Sequence, residues 1–145
     1  MTCDLRLLRG FVVLALAASL GCTSEREAPA KREAVTVWRT VATWTGRASV
    51  QTESFISNTG LFRVHWEARP LQPPDNNGTL RVTLHSAVSG RPLVEAVDHR
   101  GPGRDTVFLS EDPREFFLVI DDQGLDWTVT LDEGLPATAP APLHN

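Results

Sequence analysis

The sequence predicts an all-β protein, an antiparallel β-sandwich of about seven or eight short strands. Three observations carry that expectation. Apolar and polar residues alternate with a period of two in Leu61–Ala68 and again in Leu80–Ser86. Turn signals such as Asn58-Thr59-Gly60, Ser89-Gly90 and Gly101-Pro102-Gly103 interrupt the chain at short intervals. No stretch between them carries a helical period.

The elements follow in order. Val35 to Trp44 is rich in valine and threonine and predicts a strand, with Trp38 and Trp44 on the alternate set to the valines. Gly46 ends it, and Phe55-Ile56 forms a short second segment. Leu61 to Ala68 is the clearest strand. Phe62, Val64, Trp66 and Ala68 face the core, and Arg63, His65 and Glu67 face water. Pro70, Pro73 and Pro74 then exclude a central strand. Leu80, Val82 and Leu84 point inward in the next strand, with Arg81, Thr83 and His85 outward. Further strands are expected at Leu93–Val97 and Thr106–Leu109. The Glu115–Ile120 run is apolar on both faces, which suits a central strand. Asp126 to Leu131 closes the fold, with Trp127, Val129 and Leu131 on one face.

The first residues read differently. Arg6 and Arg9 precede an apolar run, Phe11 to Leu20, that is shorter than the roughly 20 residues a membrane-spanning helix needs. The run ends in Ser19-Leu20-Gly21-Cys22. This resembles a bacterial lipoprotein precursor, with residues 1–21 a signal helix and Cys22 the lipid acceptor. The resemblance implies a membrane held through a lipid anchor. Thr23, where an Asp often marks inner-membrane retention, leans toward the outer membrane facing the periplasm. Residues 22–34 are polar and alanine-rich and are expected to be a flexible tether. The domain is expected at 35–133. Residues 134–145, rich in proline and alanine, read as a disordered tail.

From Trp44 onward the order of packing motifs resembles small, uncharacterised exported bacterial β-sandwich domains. Trp44-x-Gly46, Phe55, Phe62-Arg63-Val64-x-Trp66, Gly101-x-Gly103, Phe116–Ile120 and Trp127-Thr128-Val129 carry the resemblance. These are packing motifs, so the resemblance implies a fold and no activity.

Composition removes several function classes. Once residues 1–21 are set aside, Cys22 is the remaining cysteine, which excludes intramolecular disulfides and cysteine-based zinc sites. A net charge of −4 with no basic cluster argues against nucleic acid. No GxSxG elbow and no HExxH spacing occurs. The protein is therefore expected to be no enzyme, with no metal and no cofactor.

The candidate ligand face is Trp38, His65 and His85, the histidines lying on outward faces. His65 and His85 would hold a metal if their strands converged, with Glu67 nearby; solvated surface histidines are favoured. Asp121-Asp122, Asp126 and Asp132-Glu133 are expected near one end of the last hairpin. They read as strand-ending turn chemistry in preference to a calcium site. The reading as a whole is a lipid-anchored, non-catalytic binding or structural module that meets an envelope protein or polymer. A carbohydrate-binding module is the alternative, disfavoured because most aromatics fall on inward positions. A metal-dependent enzyme ranks behind both.

Overall fold

A computed structural model describes residues 34–74 and 77–138. The expected signal helix, Cys22 and most of the tether lie outside the described residues, as does the end of the expected tail.

The fold is all-β, two antiparallel sheets packed face to face. Its strands are β1 (Ala34–Gly46), β2 (Val50–Gln51), β3 (Phe55–Ser57), β4 (Leu61–Pro70), β5 (Thr79–Ser86), β6 (Pro92–Arg100), β7 (Gly103–Ser110), β8 (Arg114–Gln123) and β9 (Leu125–Thr138). One sheet runs β1-β9-β4-β7. The other runs β2-β8-β5-β6, with β3 also pairing β8. β2 was not anticipated, since two residues carry no periodicity to read.

The period of two holds through the core. Phe62, Val64, Trp66 and Ala68 of β4 are buried, and so are Leu80, Val82 and Leu84 of β5. Trp127, Val129 and Leu131 of β9 and Phe116, Leu118 and Ile120 of β8 meet them. Three phenylalanines stack at one end. Phe62 sits edge-on to Phe116 at 5.2 Å, and Phe55 lies parallel to Phe116 at 6.0 Å. Each such ring buries about 150–250 Å². β8 is central, as its doubly apolar sequence suggested. The ring of Phe117, on its other face, stacks on His85 at 5.0 Å.

Two expectations change. β9 continues through Gly134–Thr138, five residues into the stretch expected to be a disordered tail. It pairs with the start of β1, from Arg39↔Glu133 to Ala34↔Thr138. β4 stops pairing at Phe62↔Glu133, so beyond that point β9 has one side open among the described residues, where Pro136 is tolerated. The second change is in β1. A bulge between Thr40 and Ala42 inserts Val41 and shifts the register against β9. An extra residue reverses which side chains face the core. Trp44 therefore packs on the core, opposite Val129, while Trp38 sits opposite Gly134 on the outer face. The even spacing of Trp38 and Trp44 had placed them together.

The turn between β3 and β4 is fixed from β7's end. Gly60 has φ +67 and accepts a hydrogen bond from the Glu111 N–H at 2.9 Å. A Cβ there would fall 1.7 Å from the Glu111 carbonyl oxygen, so only glycine fits.

Candidate functional site

The outer face of the β1-β9-β4-β7 sheet is a grid set by strand register. One cross-strand row runs Thr40, Asp132, Arg63, Phe108. The next runs Thr43, Thr130, His65, Thr106, and a third Thr45, Thr128, Glu67, Arg104. Trp38 lies beside the first row. The bulge in β1 puts it there.

Asp132 is the hub. Its Oδ2 accepts from Arg63 Nε at 3.1 Å and Nη2 at 2.8 Å, and meets His65 Nε2 at 3.1 Å. Its Oδ1 accepts from Thr40 Oγ1 at 2.8 Å. These partners cover the carboxylate so well that Asp132 is only 4% exposed on an outward face. Burial by itself would raise its pKa. The hydrogen bonds from Arg63 and Thr40, with the charges of Arg63 and His65, outweigh that and hold it below the ordinary aspartate value.

Arg63 is used twice. Its guanidinium carbon lies 4.7 Å from the Trp38 ring centroid while its nitrogens bind Asp132. Trp38 meets Phe108 edge-on at 5.6 Å and 62°. Phe108 is 62% exposed, unusual for so large an apolar group. The product is an aromatic pair on a flat face, beside an ion pair that is already neutralised. Threonine hydroxyls continue the face, including a Thr43–Thr130 hydrogen bond of 2.9 Å. Next to it a cleft of about 470 Å³ is lined by His65, Glu67, Arg104, Thr106 and Thr130, among others.

His65 Nδ1 also shares a hydrogen bond of 2.8 Å with Thr106 Oγ1. Hydroxyl, imidazole and carboxylate thus stand in a line. Asp132 Oδ2 is shared between His65 Nε2 and the Nε and Nη2 of Arg63. The three residues are cross-strand neighbours, and their hydrogen bonds tie the strands together.

Of the three candidate ligand residues, the structure brings Trp38 and His65 to one face. His85 lies on the other sheet, where Nδ1 bonds the Gly90 carbonyl at 3.0 Å. The convergence that a His65–His85 metal pair needs is absent. Among the described residues no group of three His, Cys, Asp or Glu is placed to hold a metal ion. The acidic residues do not cluster at one end either. Asp121, Asp122 and Asp126 flank the β8–β9 turn, while Asp132 and Glu133 lie well along β9, on opposite faces. Sequence reasoning passed over Arg63, Phe108 and Thr40 as site residues and weighed Asp132 only as turn chemistry or a calcium ligand, because only the register of four strands brings them together.

Glu133 is the inward counterpart of Asp132. At 1% exposure it accepts from Arg39 Nη2 at 2.6 Å, Ser57 Oγ at 2.7 Å, the Asn58 N–H at 3.1 Å and Thr59 Oγ1 at 3.2 Å. Here again burial raises the pKa and the donors more than reverse it. A polar recess of about 540 Å³ lies against the other sheet, lined by Arg81, Asp98, Arg100, Asp121 and Asp122 among others. Arg81 bonds Glu95 at 3.2 Å and Asp98 at 3.4 Å there.

Comparison with protein-family models and with curated proteins found no match.

Proposed function

We propose that the protein is a lipid-anchored, non-catalytic binding module of the bacterial cell envelope. The outer face of the β1-β9-β4-β7 sheet meets its ligand. The observation that carries this reading is the Trp38–Phe108 pair beside the Arg63–Asp132 ion pair. A soluble domain gains nothing in stability from leaving a phenylalanine more than half in water. On a binding face, such a ring contributes large contact area at low entropic cost. The anchor rests on Arg6, Arg9, the Phe11–Leu20 run and Cys22.

The ligand class favoured by the face is a neutral envelope polysaccharide. Aromatic rings stack on sugar faces, and the threonine rows offer hydroxyls for hydrogen bonds. Asp132 and Glu67 are ion-paired with Arg63 and Arg69, so among the described residues Arg104 is left as a lone arginine on the face, too little charge to favour a strongly anionic chain. A protein partner is the second reading, favoured by the size and flatness of the face.

The test is a double variant, Trp38→Ala with Phe108→Ala, compared with the wild-type protein in two assays. One is co-sedimentation with insoluble peptidoglycan, chitin and cellulose. The other is crosslinking in intact cells. Loss of polysaccharide binding supports the sugar reading, and loss of a crosslinked protein supports the second. Undiminished partner capture by a folded double variant sinks the face. Separately, Cys22→Ala should release the protein from membranes. Equal membrane retention would remove the lipid anchor from the proposal.

A further inference from the structure

The sandwich has four edges, and three are blunted in the usual ways. β6 opens with Pro92, carries Glu95, Asp98 and Arg100 in water, and has two breaks in its register with β5. β7 carries exposed Arg104 and Asp105. The edge beside β8 is split into β2 and β3, two and three residues long. Short strands, charges, prolines and bulges are how natural sheets avoid pairing with another chain.

β1 is neither short nor broken by proline. It is 13 residues of AVTVWRTVATWTG, with no proline, one charge and its other side free among the described residues. The one charge, Arg39, is already spent on Glu133. The bulge lies at Thr40–Ala42, so the Ala34–Thr40 arm is straight. From Trp38 back to Ala34 its partner β9 is no longer paired with β4, which ends its pairing at Glu133, although the Trp38 ring still reaches Arg63 and Phe108. Its Val35 and Val37 are 46% and 49% exposed. A two-stranded ribbon alone is marginal in water, and three or more strands are needed for a stable apolar face.

We propose that β1 pairs with β1 of a second copy, antiparallel, across a two-fold axis at Val37. The arm is self-complementary in that register. Val37 faces its own mate, Val35 faces Arg39, and Thr36 faces Trp38. No like charges meet, because Arg39 opposes a valine. The axis stands perpendicular to the sheet, so side chains keep their faces. Two four-stranded sheets become one continuous sheet, and the two-stranded ribbons become a four-stranded one. Both Trp38–Arg63–Phe108 clusters then look out from the same side. The pairing does not depend on what those clusters bind.

The experiment is sedimentation equilibrium of the full chain from micromolar to millimolar concentration, for the wild type, Val37→Lys and Ile56→Lys. Val37→Lys sets two ammonium groups against each other at the axis. Ile56→Lys places the same charge on the β3 edge, at a residue 70% exposed. The expected result is a dimer for the wild type and Ile56→Lys, and a monomer for Val37→Lys. All three should melt with near-UV circular dichroism signals typical of folded protein, since neither site belongs to the core. A wild type that stays monomeric over the whole range overturns the pairing. So does a Val37→Lys protein that remains dimeric. Should Val37→Lys fail to fold, Val35→Lys carries the same test, since it breaks the Val35–Arg39 contact by like charge.

Discussion

Asp122 and the Asp132–Glu133 pair are all buried carboxylates on the same hairpin, yet the fold treats them in opposite ways. Asp132 and Glu133 sit in the body of β9, each facing an arginine and hydroxyl donors in fixed register. Asp122 sits at the end of β8. Its Oδ1 accepts from the Leu125 N–H at 3.1 Å, which helps close the β8–β9 turn. Its Oδ2 is buried with no hydrogen-bond partner among the described residues. Burial raises the Asp122 pKa, and the nearby Asp126 charge adds to the rise, against lowering backbone hydrogen bonds from Leu125 and Gln123. The difference teaches that burial does not decide a carboxylate's charge. The donors in place when it is buried do.

The largest effect should come from Glu133. It ties β1, β9 and the β3–β4 turn through four donors, so Glu133→Ala strands Ser57, Thr59 and the Asn58 N–H around a hole. The expected loss is about 3–5 kcal/mol, the usual cost of breaking a buried charged network. That is a large share of the stability of about 5–15 kcal/mol typical of a domain. Urea unfolding of wild type and variant measures it. A midpoint shift worth under about 1 kcal/mol would mean that the network only decorates the turn.

Arg63 comes next. Arg63→Lys keeps the charge, but loses the two-pronged contact with Asp132 and the flat group under Trp38. About 1–2 kcal/mol should be lost. The acid side of the stability curve should change as well. Asp132 and Glu133 both have folded pKa values below their unfolded ones. Their stabilisation is present above about pH 4–5 and is lost as pH falls through the folded values. In Arg63→Lys the Asp132 value should rise, so the acid midpoint should move to higher pH. An unchanged acid midpoint would show that Thr40 and His65 alone hold that carboxylate.

How much of this was legible in the sequence follows from the reach of each signal. The β4, β5 and β9 cores were readable, because alternation is local and Phe62 to Ala68 or Trp127 to Leu131 repeats it without interruption. The β1 bulge was not. Val35, Val37 and Val41 look like one face, and nothing local says that Val41 is the extra residue. The continuation of β9 was hidden by Pro136, whose position beside an open edge is a fact of topology. Arg63 read as a solvated charge, since the sequence does not show that β9 will set Asp132 opposite it. The candidate face was half visible for the same reason. Trp38 and His65 could be singled out as residues, but their partners Phe108 and Asp132 belong to strands about 40–95 positions away, and only pairing register joins them.

The smallest effect is the most discriminating. Asp122 lacks what Asp132 has, so removing its charge should help. Its folded pKa is raised, which means that the folded state holds the proton more tightly than the unfolded chain. Stability from this group is therefore full below about pH 4 and is lost as pH climbs through the raised folded value. Asp122→Asn keeps an oxygen for the Leu125 N–H and carries no charge at any pH. It should gain up to about 1 kcal/mol at neutral pH, from relief of an uncompensated buried charge. Asp132→Asn should do the reverse, losing stability at neutral pH, since it gives up charge-assisted bonds to Arg63. Below about pH 4 the Asp122 difference should vanish, because that carboxyl is already protonated, while the Asp132 difference should shrink only as pH falls on toward its lowered folded value. Thermal unfolding of the two variants at pH 7 and pH 3 reads out the contrast. If Asp122→Asn loses stability at pH 7 as Asp132→Asn does, Asp122 has a donor in solution after all, and the polar recess beside it holds an ordered water or cation that serves the carboxylate.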